Sequence, residues 1–169
     1  MKYKLGLFLL LSFALLLFAP VCFAQGAAKN GPDPATIRDP ELEKDSLHNL
    51  EVARQYFKLK KAYVGSLKRC EEVIAGNPNF AKIDEILYMA GESGLFLAEN
   101  KGKQKSSLYV VTEGNTKRTL KPEEFRELAR SYLSQLFNDH PQSQYHKQAE
   151  DDLQALGGPL PKAADTTKP

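Results

Sequence analysis

The chain is poor in the residues that build catalytic and metal centres. It has three histidines and two cysteines in 169 residues. It contains no glycine-rich phosphate loop and no nucleophile elbow. His48, His140 and His146 offer no pair at i, i+4 with flanking carboxylates, as a zinc site would need, and Asp139-His140-Pro141 breaks the helical pattern between the last two. Cys70 has no neighbouring histidine to activate it. The acidic pairs Glu123-Glu124 and Asp151-Asp152 fit solvated helix faces better than an acid–base couple. These shortages point away from an enzyme and call for no cofactor and no metal.

A surplus of one charge is also missing. The net charge is +2, and Lys2 and Lys4 supply both of those charges if the leader that carries them is removed. No basic excess then remains to recruit nucleic acid or an anionic lipid surface. Removal of the leader would also take Cys22, leaving Cys70 unable to form an internal disulfide. Its place in a helical pattern suits a small buried hydrophobe. Only one long apolar run exists, "LGLFLLLSFALLLFAPVCFA". Lys2 and Lys4 precede it, and Cys22-Phe23-Ala24 closes it with small residues at the two positions that a signal peptidase reads. Residues 1–24 are therefore expected to be a signal peptide cut after Ala24. The alternatives are a single membrane anchor, or lipidation at Cys22, which follows Ala19-Pro20-Val21 and would tether the protein to a membrane.

What the sequence does have is helical periodicity. Residues 25–40 are rich in Gly, Pro and Ala and are expected to be a flexible spacer; the tail 157–169 has the same character and is expected to be disordered. Between them, 41–156 is expected to be one all-α domain. A first helix, about Glu41 to Lys60, carries Leu47, Leu50, Ala53 and Phe57 on one stripe, and Val52, Tyr56, Leu59 and Tyr63 on a second. A second helix, about Ala62 to Ala75, places Tyr63, Leu67, Cys70 and Ile74 on one face, and Gly76 and Pro78 end it. A third, about Ala81 to Glu99, contains Gly91 and Gly94, which are costly in a lone helix and imply a neighbour at close approach. A fourth opens at Pro122-Glu123-Glu124 and carries Phe125, Ala129, Tyr132, Leu133 and Leu136. A fifth, about Ser143 to Leu156, buries Tyr145, Ala149 and Leu153, shows His146, Lys147 and Glu150 to water, and ends at Gly157-Gly158-Pro159. The segment 100–121 breaks this period. Its β-prone runs flank Glu113-Gly114-Asn115, so it is an ordered loop or a β-hairpin, and an insertion of that length suggests a role.

Two helices stop in the same way, at "VIAGNPNF" and at "LFNDHPQSQY". In each, an apolar helix meets a polar residue and a proline, and a new helix starts almost at once. That pattern belongs to stacked helical hairpins. On these residues the chain resembles the tetratricopeptide repeat. With Pro78 and Pro141 as the repeat-ending prolines, Leu50, Ala53 and Phe57 take the packing positions of a first helix, and Ser66 and Cys70 take the small and large positions of a second. Ala129 and Leu133 repeat those last two roles. Arg54 stands where that family usually has a small residue. Tyr132, Pro141, Ser143, Tyr145, Ala149 and Leu153 are further similar to the junction pattern of the BamD-like outer-membrane assembly lipoproteins.

The resemblance implies antiparallel helical hairpins stacked as a short array. It implies a periplasmic setting, outer-membrane associated in the BamD-like case, and an adaptor or scaffold role in the bacterial cell envelope with a protein or peptide as partner. The groove of such an array would be lined by His48, Glu51, Gln55 and Lys58, then Lys82, Glu85, Met89 and Glu92. An array this short leaves an end open, so a homodimer, or a structural homo-oligomer without a peptide groove, is the alternative.

Overall fold

The computed structural model describes residues 38–162. The segment expected to be a signal peptide, Cys22 and most of the expected spacer lie outside the described residues, as does the tail from 163. Helix α1, Pro40–Arg54, starts where the sequence supplies every local signal for a start. The Asp39 carboxylate accepts from the backbone N–H groups of Glu41 and Leu42, at 2.9 and 3.3 Å, Pro40 occupies the first turn, and Glu41 and Glu43 meet the positive end of the helix dipole. The helix then widens into a π-helical stretch, Gln55–Lys60, and stops at Lys61, whose φ of 48° is left-handed. Helix α2, Tyr63–Gly76, follows after a single connecting turn.

Helices α2, α3 (Ile83–Ala98), α4 (Pro122–Asp139) and α5 (His146–Ala155) each pack against the next in sequence, and the largest interface joins α3 to α4. Gly91 and Gly94 make that interface possible. A Cβ on Gly91 would come within 2.5 Å of Leu133 Cγ, and one on Gly94 would come within 3.1 Å of Ala129 Cβ. The core is continuous from Leu50 and Ala53 through Leu67, Cys70, Ile86 and Leu87 to Leu133 and Leu153, all at or near zero exposure. Leu47, expected on the core stripe of α1, is 39% exposed instead, because α2 covers the side of α1 that bears Leu50 and Ala53.

The two proline junctions have the same backbone hydrogen bonds at one constant offset in sequence. Asn77 N–H donates to the Val73 carbonyl, Phe80 N–H to the Asn77 carbonyl and Ile83 N–H to the Phe80 carbonyl. His140, Ser143 and His146 donate in turn to Leu136, His140 and Ser143. The same offset carries Ser66 onto Ala129 and Cys70 onto Leu133, all four fully buried.

The chain is thus mostly helical, but not wholly so. The insertion is a short 3-10 turn, Ser106–Leu108, and an antiparallel hairpin of β1 (Val110–Glu113) and β2 (Thr116–Thr119), in register from Val110↔Thr119 to Glu113↔Thr116. Gly114, at φ 59°, makes the tight turn. Its strands are largely solvated, yet its root is fastened at three points. Lys103 N–H donates to the left-handed Lys61's carbonyl at 2.8 Å. The Gln104 side chain accepts from Gly65 N–H at 2.9 Å, in the first turn of α2. The buried Tyr109 packs edge-on against Phe125 and donates its hydroxyl to Glu71 Oε1 at 2.5 Å, an atom that also accepts from the Tyr132 hydroxyl at 3.1 Å. Burial raises the Glu71 carboxyl above its ordinary pKa while the two phenols hold it down.

At the C-terminus, only residues 157–162 of the expected tail are described. Residues 157–162 do not trail into solvent. Gly157 and Gly158 are both left-handed, at φ 90° and 91°, and Gly158 N–H donates back to the Leu153 carbonyl at 2.7 Å, which ends α5 and reverses the chain. The reversed segment then lies along α4. His146, expected in solvent, is also half-buried, because its ring stacks on Phe137 with centroids 4.6 Å apart.

Candidate protein-binding face

Helix α1 ends beside the start of α3, and there the two are joined by one ion pair. Arg54 Nε and an Arg54 terminal nitrogen reach the two carboxylate oxygens of Glu85 at 2.6 and 2.5 Å. A planar guanidinium matches a carboxylate in this two-point geometry, which fixes direction as well as charge. The hydrogen bond to Glu85 raises the Arg54 pKa further. Tyr145, at the start of α5, closes the third side. Its ring stacks on Tyr88 with centroids 4.8 Å apart and planes 14° from parallel. Burial, and then the Glu85 charge beside it, raises the Tyr145 hydroxyl pKa.

Above this floor lies an open cleft of about 440 Å³, lined by Arg54, Lys58, Lys82, Asp84, Glu85, Gln144 and Tyr145. Asp84 is also a wall of a larger cleft of about 640 Å³, which runs between the two proline junctions. The larger cleft has Pro78, Asn79 and Phe80 on one side and His140, Pro141 and Ser143 on the other. Ser143 locks the two junctions together. Its hydroxyl donates to Asp84 Oδ2 at 2.6 Å and accepts from Tyr145 N–H at 3.1 Å. Arg38 borders the larger cleft, donating to the Asn79 carbonyl at 3.0 Å and standing 3.8 Å from Glu43. The face therefore offers exposed cations at Lys58 and Lys82, a carboxylate at Asp84, and an aromatic wall, all on backbone pinned by hydrogen bonds. Such a surface can bind a polar chain by charge and hydrogen bonding. Among the described residues, no three histidine, cysteine or acidic side chains stand together as a metal would require.

Three of the eight residues expected to line a groove meet here: Lys58 and Lys82 at the rim, Glu85 on the floor. His48, Glu51 and Gln55 are exposed on the first helix but border neither cleft. Two placements correct the expectation of a solvated stripe. Met89 is 4% exposed and belongs to the core, and Glu85 is 8% exposed under Arg54. Glu92 is half-buried and faces Asp152 of α5; burial, then the Asp152 charge, pushes its carboxyl up to about 7. The cause is the central position of α3. It has α2 and α4 on its flanks, with Arg54 and α5 over its remaining side, so a stripe that starts at the rim at Lys82 sinks into the interior within two turns.

Arg54, Asp84, Gln144 and Tyr145 were missed as members of this face. Arg54 carried a signal: a long cation at a position where small residues pack must either leave the interface or find a buried anion. Asp84 and Gln144 carried none, since acids and amides near helix starts are common.

Compared with protein-family models, curated proteins and solved structures, the chain matches none.

Proposed function

We propose that the chain is an exported, tetratricopeptide-like protein–protein interaction module that serves as an adaptor or scaffold in the bacterial cell envelope, beside the machinery that assembles outer-membrane proteins. The observation that carries the reading is the repeated junction. Two helix–proline–helix turns with the same hydrogen bonds, each following a small and a large buried residue, are what a stack of helical hairpins needs. The cleft above Arg54 and Glu85 supports it further, because it spans the first helices of successive hairpins and presents Lys58 and Lys82 around an ordered floor.

A photocrosslinking amino acid placed at 58 or 82 in the exported chain tests this in intact cells. Both positions should trap the same envelope protein, while a third placement at the exposed Arg126, which borders neither cleft, should not. Equal products from all three positions, or none from 58 and 82, would overturn the assignment of this face.

A further inference from the structure

The outer side of α4 carries a ladder of polar side chains at helical spacing, Arg130, Ser134 and Asn138, and all three bind the backbone of the returning chain. Arg130 Nε donates to the Gly158 carbonyl at 2.8 Å, and a terminal nitrogen of Arg130 donates to the Gly157 carbonyl at 3.3 Å. The Ser134 hydroxyl accepts from Leu160 N–H at 2.9 Å, and Asn138 Nδ2 donates to the Leu160 carbonyl at 2.9 Å. Asp139, at the end of α4, takes Lys162 Nζ at 2.7 Å. The three rungs read main chain alone, and the Asp139 contact reads one side-chain cation.

The occupant suits the ladder chemically. Pro159 and Pro161 have no N–H, so Leu160 supplies the only amide donor of the Pro-Leu-Pro stretch, and Ser134 meets it. Prolines also hold such a segment extended before it binds, which lowers the entropy lost on docking. Ser134 is 3% exposed, and its hydroxyl is matched to this one amide. An open cleft of about 400 Å³, bounded by Ser131, Ser134, Gln135 and Asn138, runs beside Leu160 and Pro161.

We infer that this side of α4 is a second, peptide-binding surface, held in reserve by the chain's own tail. Its external occupant is an extended segment of a partner protein with an aliphatic residue between prolines and a cation two positions later, the chemistry of Pro159–Lys162. The two glycines at 157 and 158 form the hinge through which the tail leaves when that partner arrives. The inference rests on α4 and the tail and is independent of the face assigned above.

The test uses the full chain with the tail unseated by Pro159→Gly, Leu160→Ser, Pro161→Gly and Lys162→Ser, and a fluorescein-labelled peptide of sequence GGPLPKAADTTKP. The unseated chain should bind the peptide, seen as a rise in anisotropy. The unaltered chain should bind at least ten-fold more weakly, because its groove is filled. Ser134→Ala with Asn138→Ala in the unseated chain should weaken binding at least ten-fold. A folded unseated chain, judged by helical circular dichroism, that ignores the peptide would overturn the proposal, as would binding unchanged by the Ser134 and Asn138 substitutions. Should the unseated chain fail to fold, the unaltered chain decides. Labelled with ¹⁵N and titrated with excess unlabelled peptide, its Leu160 amide signal should move as the tail is displaced, and a signal fixed to the end of the titration would overturn the proposal. A dimer of the unaltered chain, by light scattering at rising concentration, would assign the groove to the tail of a second copy instead.

Discussion

At the scale of single residues, the most constrained pair is Gly91 and Leu133. Leu133 is fully buried, so Leu133→Ala is expected to cost about 2–5 kcal/mol. Gly91→Ala drives a Cβ into Leu133 and should destabilise through overpacking, by about 1–3 kcal/mol. In the double variant the new methyl fills space that the shortened leucine leaves. Its loss in a urea melt should fall clearly short of the sum of the two single losses. Glu92 gives a second prediction. Burial, with Asp152 facing it from α5 and Glu99 just past the end of α3, pushes its carboxyl up to about 7 from an ordinary 4.5. Between those two values the folded chain holds a proton that the unfolded chain has released. Stability from this group is therefore highest below 4.5, falls as pH rises to about 7, and is flat above. Glu92→Gln should flatten the fall in melting temperature between pH 5 and pH 8.

At the scale of elements, Arg54 and Glu85 tie the end of α1 to the start of α3. Arg54→Met leaves a nearly buried carboxylate without its partner and should cost about 2–4 kcal/mol, somewhat less than a fully buried pair because Arg54 itself is one-third exposed. Adding Glu85→Met should recover most of that loss, which a thermal melt of the single and double variants would show. Several helix ends were legible in the sequence. Gly76 to Pro78, Pro122-Glu123-Glu124 and Gly157-Gly158 are chemical signals within a few residues of the event they control, whereas the π-helical stretch and the left-handed stop at Lys61 had none. The glycines of α3 were legible too, since a costly residue inside a helix implies a neighbour. Two things were not. The placement of Met89 and Glu85 depends on which helices flank α3, and helical period alone is blind to a second covered face. The return of the tail along α4 depends on Ser134, Asn138 and Arg130, whose spacing marks a common helical face and carries no sign of its occupant.

At the scale of the molecule, one core runs through the five helices of the described residues, and the hairpin projects from it by its solvated strands. Trypsin should therefore cut the full chain early at Lys117, which is exposed near the hairpin turn. The two halves should remain together on gel filtration, with helical circular dichroism unchanged, because the cut leaves the α3–α4 interface whole. Separation of the halves would show that the hairpin, and not the core, joins them. The candidate face and the tail groove share only Asp139 at their margins, through the larger cleft and the salt bridge to Lys162. The two surfaces are otherwise built from different residues.

Glu71 shows what the insertion means for anyone redesigning the chain. A single carboxylate oxygen collects a hydroxyl from the root of the hairpin and another from α4. Cutting 100–121 down to a short connector would strip Tyr109 from that oxygen and open its half-buried site. A shortened protein would then have to change a residue on a different helix, with Glu71 replaced by an apolar side chain of similar volume. Loop and helix cannot be exchanged as separate modules; they are inherited together.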